Sequence, residues 1–134
     1  IIAISSMVGL ALEAAETLSL EDDISVEVVD PRTLVPLDEE TLVDSVRKTG
    51  YALIADEGSL RYGVTGELAA LISETAFDYL DAPVKRIGAA QVPIPFSPSL
   101  EMAAIPNAET IVDAVRALRG KTSAELNVQR GGRE

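Results

Sequence analysis

Carboxylates are the commonest reactive side chains in this sequence, and two of them adjoin in Asp56-Glu57-Gly58. Neighbouring carboxylates can divide acid and base duties when their surroundings push their pKa values apart. Adjacent residues of a strand point to opposite faces, however, so these two are not expected to cooperate. One is expected to order the loop that follows and the other to meet solvent or a partner. Ser5-Ser6-Met7-Val8-Gly9 is a second candidate. It leads into a helix N-terminus, where Ser5, Ser6, Gly9 and their backbone N–H groups could hold a small anion. It lacks the spaced glycines of a dinucleotide or phosphate loop, and an ordinary strand-to-helix turn is the alternative. The third candidate is Arg61-Tyr62-Gly63-Val64-Thr65-Gly66-Glu67. Gly63 and Gly66 allow backbones to approach closely. That freedom serves either tight helix packing or a subunit contact through Arg61, Tyr62, Gly63, Gly66 and Glu67. Asp81, in Leu80-Asp81-Ala82-Pro83, follows a helix C-terminus, where the dipole does not favour a carboxylate. It is either a turn former or a contact for a basic partner.

The chain has no cysteine and no histidine. Disulfides, thiolate nucleophiles, zinc–thiolate sites and histidine-based triads are thereby excluded from it. No catalytic residue, cofactor ligand or metal ligand is assigned. Twenty-two acids oppose eleven bases, a net charge of −11. The imbalance is uneven: residues 1–115 hold six bases and twenty acids, a net of −14, whereas residues 116–134 are basic. Such a body repels nucleic acid. It attracts a basic partner, or serves solubility alone. No apolar run reaches the ~18–20 residues that span a bilayer, so no membrane association is expected. No basic segment precedes the apolar start, and Glu13 and Glu16 follow closely, unlike a signal peptide. The opening Ile1-Ile2, mid-strand and without methionine, reads as the start of a fragment whose upstream part is missing.

These residues need elements to position them. Val28-Val29-Asp30-Pro31-Arg32-Thr33-Leu34-Val35-Pro36-Leu37-Asp38 runs from an apolar strand through a stop into a helix start. Strands are expected at Ile1–Ser6, Ser25–Val29, Tyr51–Ala55 and Val84–Ala89. The third is nearly all apolar and reads as central; the fourth, with Lys85 and Arg86 side by side, reads as an edge. The first helix is expected over Val8–Leu18, with Glu21-Asp22-Asp23 as a loop. The second begins at Asp38 as N-cap, with Leu37 and Leu42 at staple positions and Gly50 past its end. The third is expected from Thr65 to Leu80. Gln91–Pro98 holds three prolines and reads as irregular. A last helix follows Pro106-Asn107 and ends at Gly120. Residues 1–120 thus form one domain, and 121–134 read as a flexible tail. The order predicts a three-layer α/β/α fold with a mainly parallel sheet and a switch point between the first and third strands.

The wording of several segments resembles one family. They include Ser5-Ser6-Met7, Asp30 through Asp38, Asp56-Glu57-Gly58, Gly66-Glu67-Leu68, Ala76 through Arg86, Pro93-Ile94-Pro95-Phe96-Ser97 and Ile105-Pro106-Asn107. Together they are similar to the C-terminal, transketolase-like domain of the beta subunit of thiamine diphosphate-dependent 2-oxo acid dehydrogenases, of pyruvate, branched-chain or acetoin type. The resemblance covers roughly residues 1–119. It implies a parent oxidoreductase in which an alpha subunit and a second beta subunit complete a heterotetramer within a multienzyme complex. Thiamine diphosphate and magnesium would then lie in the parent assembly, outside this chain. The domain itself would serve assembly, docking the basic subunit-binding domain of an acyltransferase and pairing as a homodimer in isolation. Location would be cytoplasmic, or the mitochondrial matrix in a eukaryote. Many members carry His where Asp56 stands. Two alternatives remain: a small-anion or nucleotide-binding regulatory module, and the equivalent domain of a transketolase or deoxyxylulose-phosphate synthase.

Overall fold

A computed structural model describes residues 1–130, with side chains through residue 120. Its elements in order are β1 (Ile2–Ala3), α1 (Met7–Asp22), α2 (Glu39–Thr49), β2 (Leu53–Ser59), α3 (Val64–Thr75), a 3-10 turn (Phe77–Tyr79), β3 (Lys85–Ala89), α4 (Pro98–Ala104) and α5 (Ala108–Arg130). The strands form a parallel sheet in the order β1-β2-β3. Val29 bridges to Ile2 on the far side of β1. The chain therefore steps outward from β1 and returns across it to β2, which places the switch point between β1 and β2. As expected, β2 is central and β3 is an edge.

Alternating side chains divide the core into two layers. Ala3, Leu53 and Ala55 face α1 and α5, where Met7, Ala14, Leu18 and Ile111 are buried. Ile2, Ala52 and Ile54 face α2 and α3, where Leu42, Val46, Leu68 and Ile72 are buried. Small and branched aliphatic residues fill both layers, which suits a sheet covered on both faces. The start of α2 is built as the sequence predicts. Asp38 Oδ1 accepts from the Thr41 N–H at 3.1 Å and Oδ2 accepts from the Thr41 hydroxyl at 2.7 Å. These bonds hold the Asp38 carboxyl below its usual range. Gly50 closes the helix at φ 75°, a left-handed conformation that favours glycine.

Several boundaries differ from the sequence expectations, each for a physical reason. The strand expected over Ser25–Val29 is only a bridge, with Ala3 N–H on Val29 O at 3.0 Å and Val29 N–H on Ile1 O at 2.8 Å. Ser5 turns left-handed at φ 55° and ends β1 early, so little strand remains for that segment to pair with. The first helix runs four residues beyond Leu18, taking in Glu21 and Asp22. Arg116 of α5 holds both: its Nη2 lies 2.8 Å from Glu21 Oε2 and 2.8 Å from Asp22 Oδ2. A cation from 94 residues away thus offsets acids at a helix end that the dipole disfavours. The pair in turn pushes the Arg116 pKa up.

Further differences lie downstream. The ladder of β2 extends to Ser59 with an irregularity after Ala55, so Asp56-Glu57-Gly58 lies within the strand and not beyond it. α3 stops at Thr75, since Ala76 departs to φ −130°, and Phe77–Tyr79 coil into a tighter turn. Residues 91–97 are irregular as expected, but Pro98 opens α4, where its missing N–H costs nothing. Finally, α5 continues through Gly120 to Arg130. A glycine costs about 1 kcal/mol in a helix interior, and twelve helical residues before it have already met the cost of nucleation. Of the tail expected over 121–134, residues 121–130 continue this helix and 131–134 lie outside the described residues. Among the described residues, no helix is long and apolar enough to cross a membrane.

Candidate functional site

The carboxyl ends of β1 and β2 bring Ser5, Ser6 and Glu57 together. Ser5 Oγ donates to Glu57 Oε1 at 3.1 Å, and Ser6 Oγ donates to Glu57 Oε2. The left-handed Ser5 makes this possible by turning the chain straight from β1 into α1. Two N–H groups of the turn are also taken, Met7 N–H by Ile4 O at 3.1 Å and Val8 N–H by Ser5 O at 3.2 Å. The anion suggested for Ser5 and Ser6 therefore has its place taken by the chain's own carboxylate, which would repel a second one. Gly9 has nothing within 4 Å of where a Cβ would stand, so no close approach requires a glycine there.

Asp56 and Glu57 part company, as alternation predicts. Glu57 reaches the serines, while Asp56 lies over Gly58, where a Cβ would come within 2.8 Å of Asp56 Oδ2. The bulge-like irregularity of β2 gives Asp56 that room.

Residues 59–63 are strapped to β3. Arg86 Nη1 donates to Leu60 O at 2.9 Å. Gln91 Nε2 donates to Ser59 Oγ at 2.9 Å, and Ser59 Oγ donates to Arg61 O at 3.0 Å. At the tip of this loop Tyr62 is left-handed at φ 58° and fully exposed. A side chain at Gly63 would run into the Ser59 carbonyl, and one at Gly88 would meet Gly58 O at 2.9 Å. The freedom of Gly63 thus serves a close approach within the chain. Arg61 and Glu67 are exposed, and Gly66 borders the Arg86 guanidinium.

Asp81 serves the turn, as one of the two sequence readings expects. Its N–H donates to Gly50 O at 2.8 Å and its carboxylate lies over Gly50, yet the residue is exposed. It stands at one end of a groove of about 690 Å3 between α3 and β3. Gly66, Ala69, Ser73, Phe77 and Arg86 line the same groove. Two of the candidate interface residues, Gly66 and Asp81, therefore share one surface, while Ser5, Ser6 and Gly9 lie apart from it. Phe77 stands out at its lip. Tyr79, two residues on, is also exposed, with the Arg47 guanidinium 5.2 Å from its ring. Sequence reasoning missed these aromatics by extending the helix to Leu80. The signal available was the loss of helical spacing after Ala76. It also missed Arg86 as the strap of the loop, because an arginine on an edge strand ordinarily serves solvent.

Thiamine diphosphate with magnesium, which the family resemblance implies for a parent assembly, does not fit the residues present. Among the described residues, no group of three or more acidic, histidine or cysteine side chains could hold a metal ion. The Ser5–Ser6 turn before α1 already carries Glu57, whose charge opposes a diphosphate.

With this geometry in place, relatives identify the domain. The family model for the transketolase C-terminal domain matches residues 1–111. The chain is 47% identical over 114 residues to the mitochondrial pyruvate dehydrogenase E1 component subunit beta-1 of Arabidopsis thaliana, covering 85% of this chain and 31% of that protein. It is 44% identical over 119 residues to the acetoin:2,6-dichlorophenolindophenol oxidoreductase subunit beta of Bacillus subtilis, covering 89% and 34%. A solved structure described as a split gene transketolase, inactive beta4 tetramer, is similar at a TM-score of 0.74 and 31% identity, covering 87% of this chain and 37% of that one. The chain thus spans about a third of the length of the curated relatives it matches.

Proposed function

Because the chain belongs to the transketolase C-terminal domain family, we propose that it is the non-catalytic C-terminal domain of the beta subunit of a 2-oxo acid dehydrogenase. The observation that carries this reading is the 47% identity to a pyruvate dehydrogenase beta subunit over 85% of the chain. Thiamine diphosphate and magnesium belong, on this reading, to other parts of the parent enzyme. The work of this domain is assembly with an alpha subunit and a second beta subunit, and docking of a basic subunit-binding domain of an acyltransferase. Its place is the mitochondrial matrix in a eukaryote, with mitochondrial relatives as support, or the cytoplasm in a bacterium. A transketolase-type parent is the second reading. The 31% identity of the structural neighbour supports it less than the beta subunits support the first. An anion-binding module is disfavoured by the carboxylate on the Ser5–Ser6 turn.

The groove between α3 and β3 supports the docking role. Its rim carries Asp81, and residues 67–81 hold four acids and no base. Its lip exposes Phe77. Asp81 beside an apolar lip suits a partner that carries lysine or arginine next to an aliphatic side chain, while Arg86 in the lining is already bonded to Leu60 O. Surface plasmon resonance against the acyltransferase fragment tests this. Association should slow steeply with salt, since exposed charges are screened within ~8–10 Å at ordinary ionic strength. Asp81→Asn should weaken the complex by about 1 kcal/mol for a rim contact and more for a buried one. Binding indifferent to both salt and the substitution would remove the docking role of Asp81.

A further inference from the structure

Open α/β sheets take ligands beyond the carboxyl ends of their strands, beside the point where the strand order reverses. Here that point lies between β1 and β2, and Glu57 stands near the carboxyl end of β2. Its aim is set by the irregularity in that strand. From Ala55 to Ser59 β2 advances four residues while β3 advances two, from Ile87 to Ala89. An excess of this kind bends a strand and re-aims a side chain. Glu57 is thereby placed between the Ser5–Ser6 turn on one side and a cleft on the other.

The Glu57 carboxylate keeps both charge and bonding capacity to spare. Each serine hydroxyl occupies one of its oxygens. A carboxylate has about four lone-pair sites, so one remains on each oxygen. The hydroxyls fix the orientation of the group without neutralising it. The start of α1 offsets roughly half a charge there. Among the described residues no lysine or arginine pairs with Glu57. The residue is half-buried, where an uncompensated charge costs more than on open surface. A cation arriving in the cleft would offset that cost.

The cleft says what kind of cation. It encloses about 360 Å3, within the range of roughly 300–1,000 Å3 found for small-ligand sites. Gly58, Ala89, Val92, Pro93 and Ile94 give it apolar walls, and Gln91 adds an amide. Gln91 Nε2 donates to Ser59 Oγ at 2.9 Å, which leaves its Oε1 without a partner among the described residues. One free lone pair on each oxygen of Glu57 matches the paired N–H donors of a guanidinium, which bonds a carboxylate in a planar fork. An ammonium is a more strongly hydrated point charge and gains less from such an arrangement. The apolar walls suit a short methylene stem behind the charged head.

We propose that this cleft binds a guanidinium group on a short aliphatic stem, with Glu57 as counter-ion and Ser5 and Ser6 as positioning residues that hold its carboxylate. The site is separate from the groove at Asp81 and independent of the docking reading. Two sources share the chemistry, an arginine side chain of a peptide and a free guanidino compound. The test is an NMR titration of the 134-residue chain with N-acetylarginine methylamide, butylguanidine and the neutral N-acetylcitrulline methylamide. Amide shifts should gather at residues 57–59 and 89–94. Both guanidino probes should saturate them with a dissociation constant of roughly 1 mM or tighter, and the citrulline probe should leave them unmoved. Tighter binding of the arginine derivative identifies a peptide source and equal binding a free compound; either supports the site. Glu57→Gln should weaken binding by about tenfold or more, as loss of a charged hydrogen-bond partner does. Val92→Lys should do the same by setting a cation at the cleft wall. Val92 is exposed and outside the turn, so this variant keeps its fold and decides the matter if Glu57→Gln melts early. Glu16→Gln removes the same charge from an exposed position on α1 and should bind as wild type does. An equal response to the citrulline probe or to sodium chloride at the same concentration overturns the proposal. So does binding undiminished in both cleft variants, or no response up to about 10 mM, tenfold beyond the expected affinity.

Discussion

Replacing Gly88 with alanine should expose how the loop over β3 is held. Gly88 has an ordinary φ, so backbone strain plays no part. Space decides instead: a Cβ there would stand 2.9 Å from Gly58 O, 3.3 Å from Leu60 N and 3.4 Å from Leu60 Cα. All three are backbone atoms, which cannot rotate away as a side-chain tip can. Either β3 bends outward or residues 58–60 lift, and overpacking of this sort costs about 1–3 kcal/mol. Lifting Leu60 also stretches the 2.9 Å bond from Arg86 Nη1 to its carbonyl. A hydrogen bond to a charged group is worth about 1.5–3 kcal/mol when formed, and half-exposure of Arg86 places the loss near the lower figure. Because the bond is stretched and not wholly lost, the combined cost is about 2–4 kcal/mol. For a domain of this size each kcal/mol moves Tm by roughly 3–5 °C, so the midpoint should fall by roughly 6–20 °C. A double-mutant cycle isolates the cause. Arg86→Met alone removes the bond, and in the pair with Gly88→Ala that bond should not be lost twice. The two effects should therefore fall short of additivity by about 1 kcal/mol, within the range seen for residues in contact. Urea unfolding of the four proteins measures this. A Gly88→Ala cost below about 0.5 kcal/mol, the size of an ordinary surface change, or strict additivity, would refute the reasoning.

Two further substitutions probe the charges. Lys48 pairs with Glu27 and, with lesser causes, holds the Glu27 carboxyl below its usual value of 4.5. A depressed folded pKa means the stability it contributes is present above the unfolded value and is lost as pH falls through the folded one. Melting between pH 5 and pH 2 should show this loss in wild type and a smaller one in Lys48→Met; identical profiles would count against the pair. Arg116→Met should fray the last turn of α1, because Glu21 and Asp22 then lose their shared cation at a helix end where the dipole disfavours acids. Hydrogen exchange should quicken at residues 19–23 while β2 stays protected, and the wild-type protection there should weaken with added salt.

What the sequence alone determined is local in origin. Asp38 as N-cap, Gly50 past the helix end and the apolar runs of the central strands depend on residues within a few positions of one another, and each appears where its neighbours require it. The parallel sheet and its switch point followed from the order of elements and the handedness of crossovers. The family was legible as well, since many short segments in one order carry more information than any single motif. The tertiary structure decided what depends on groups distant in the chain. Only folding carries Arg116 to Asp22, across 94 residues, and so lengthens α1 beyond its expected end. Only folding sets Glu57 between Ser5 and Ser6, across 52 and 51 residues, and so closes a turn that read as an anion site. Gly63 shows the same limit. Its freedom was evident from its type, but that the carbonyl of Ser59 stands against it depended on where the loop is strapped. A long-range contact costs loop entropy and is repaid by burial and charge pairing that no local window contains.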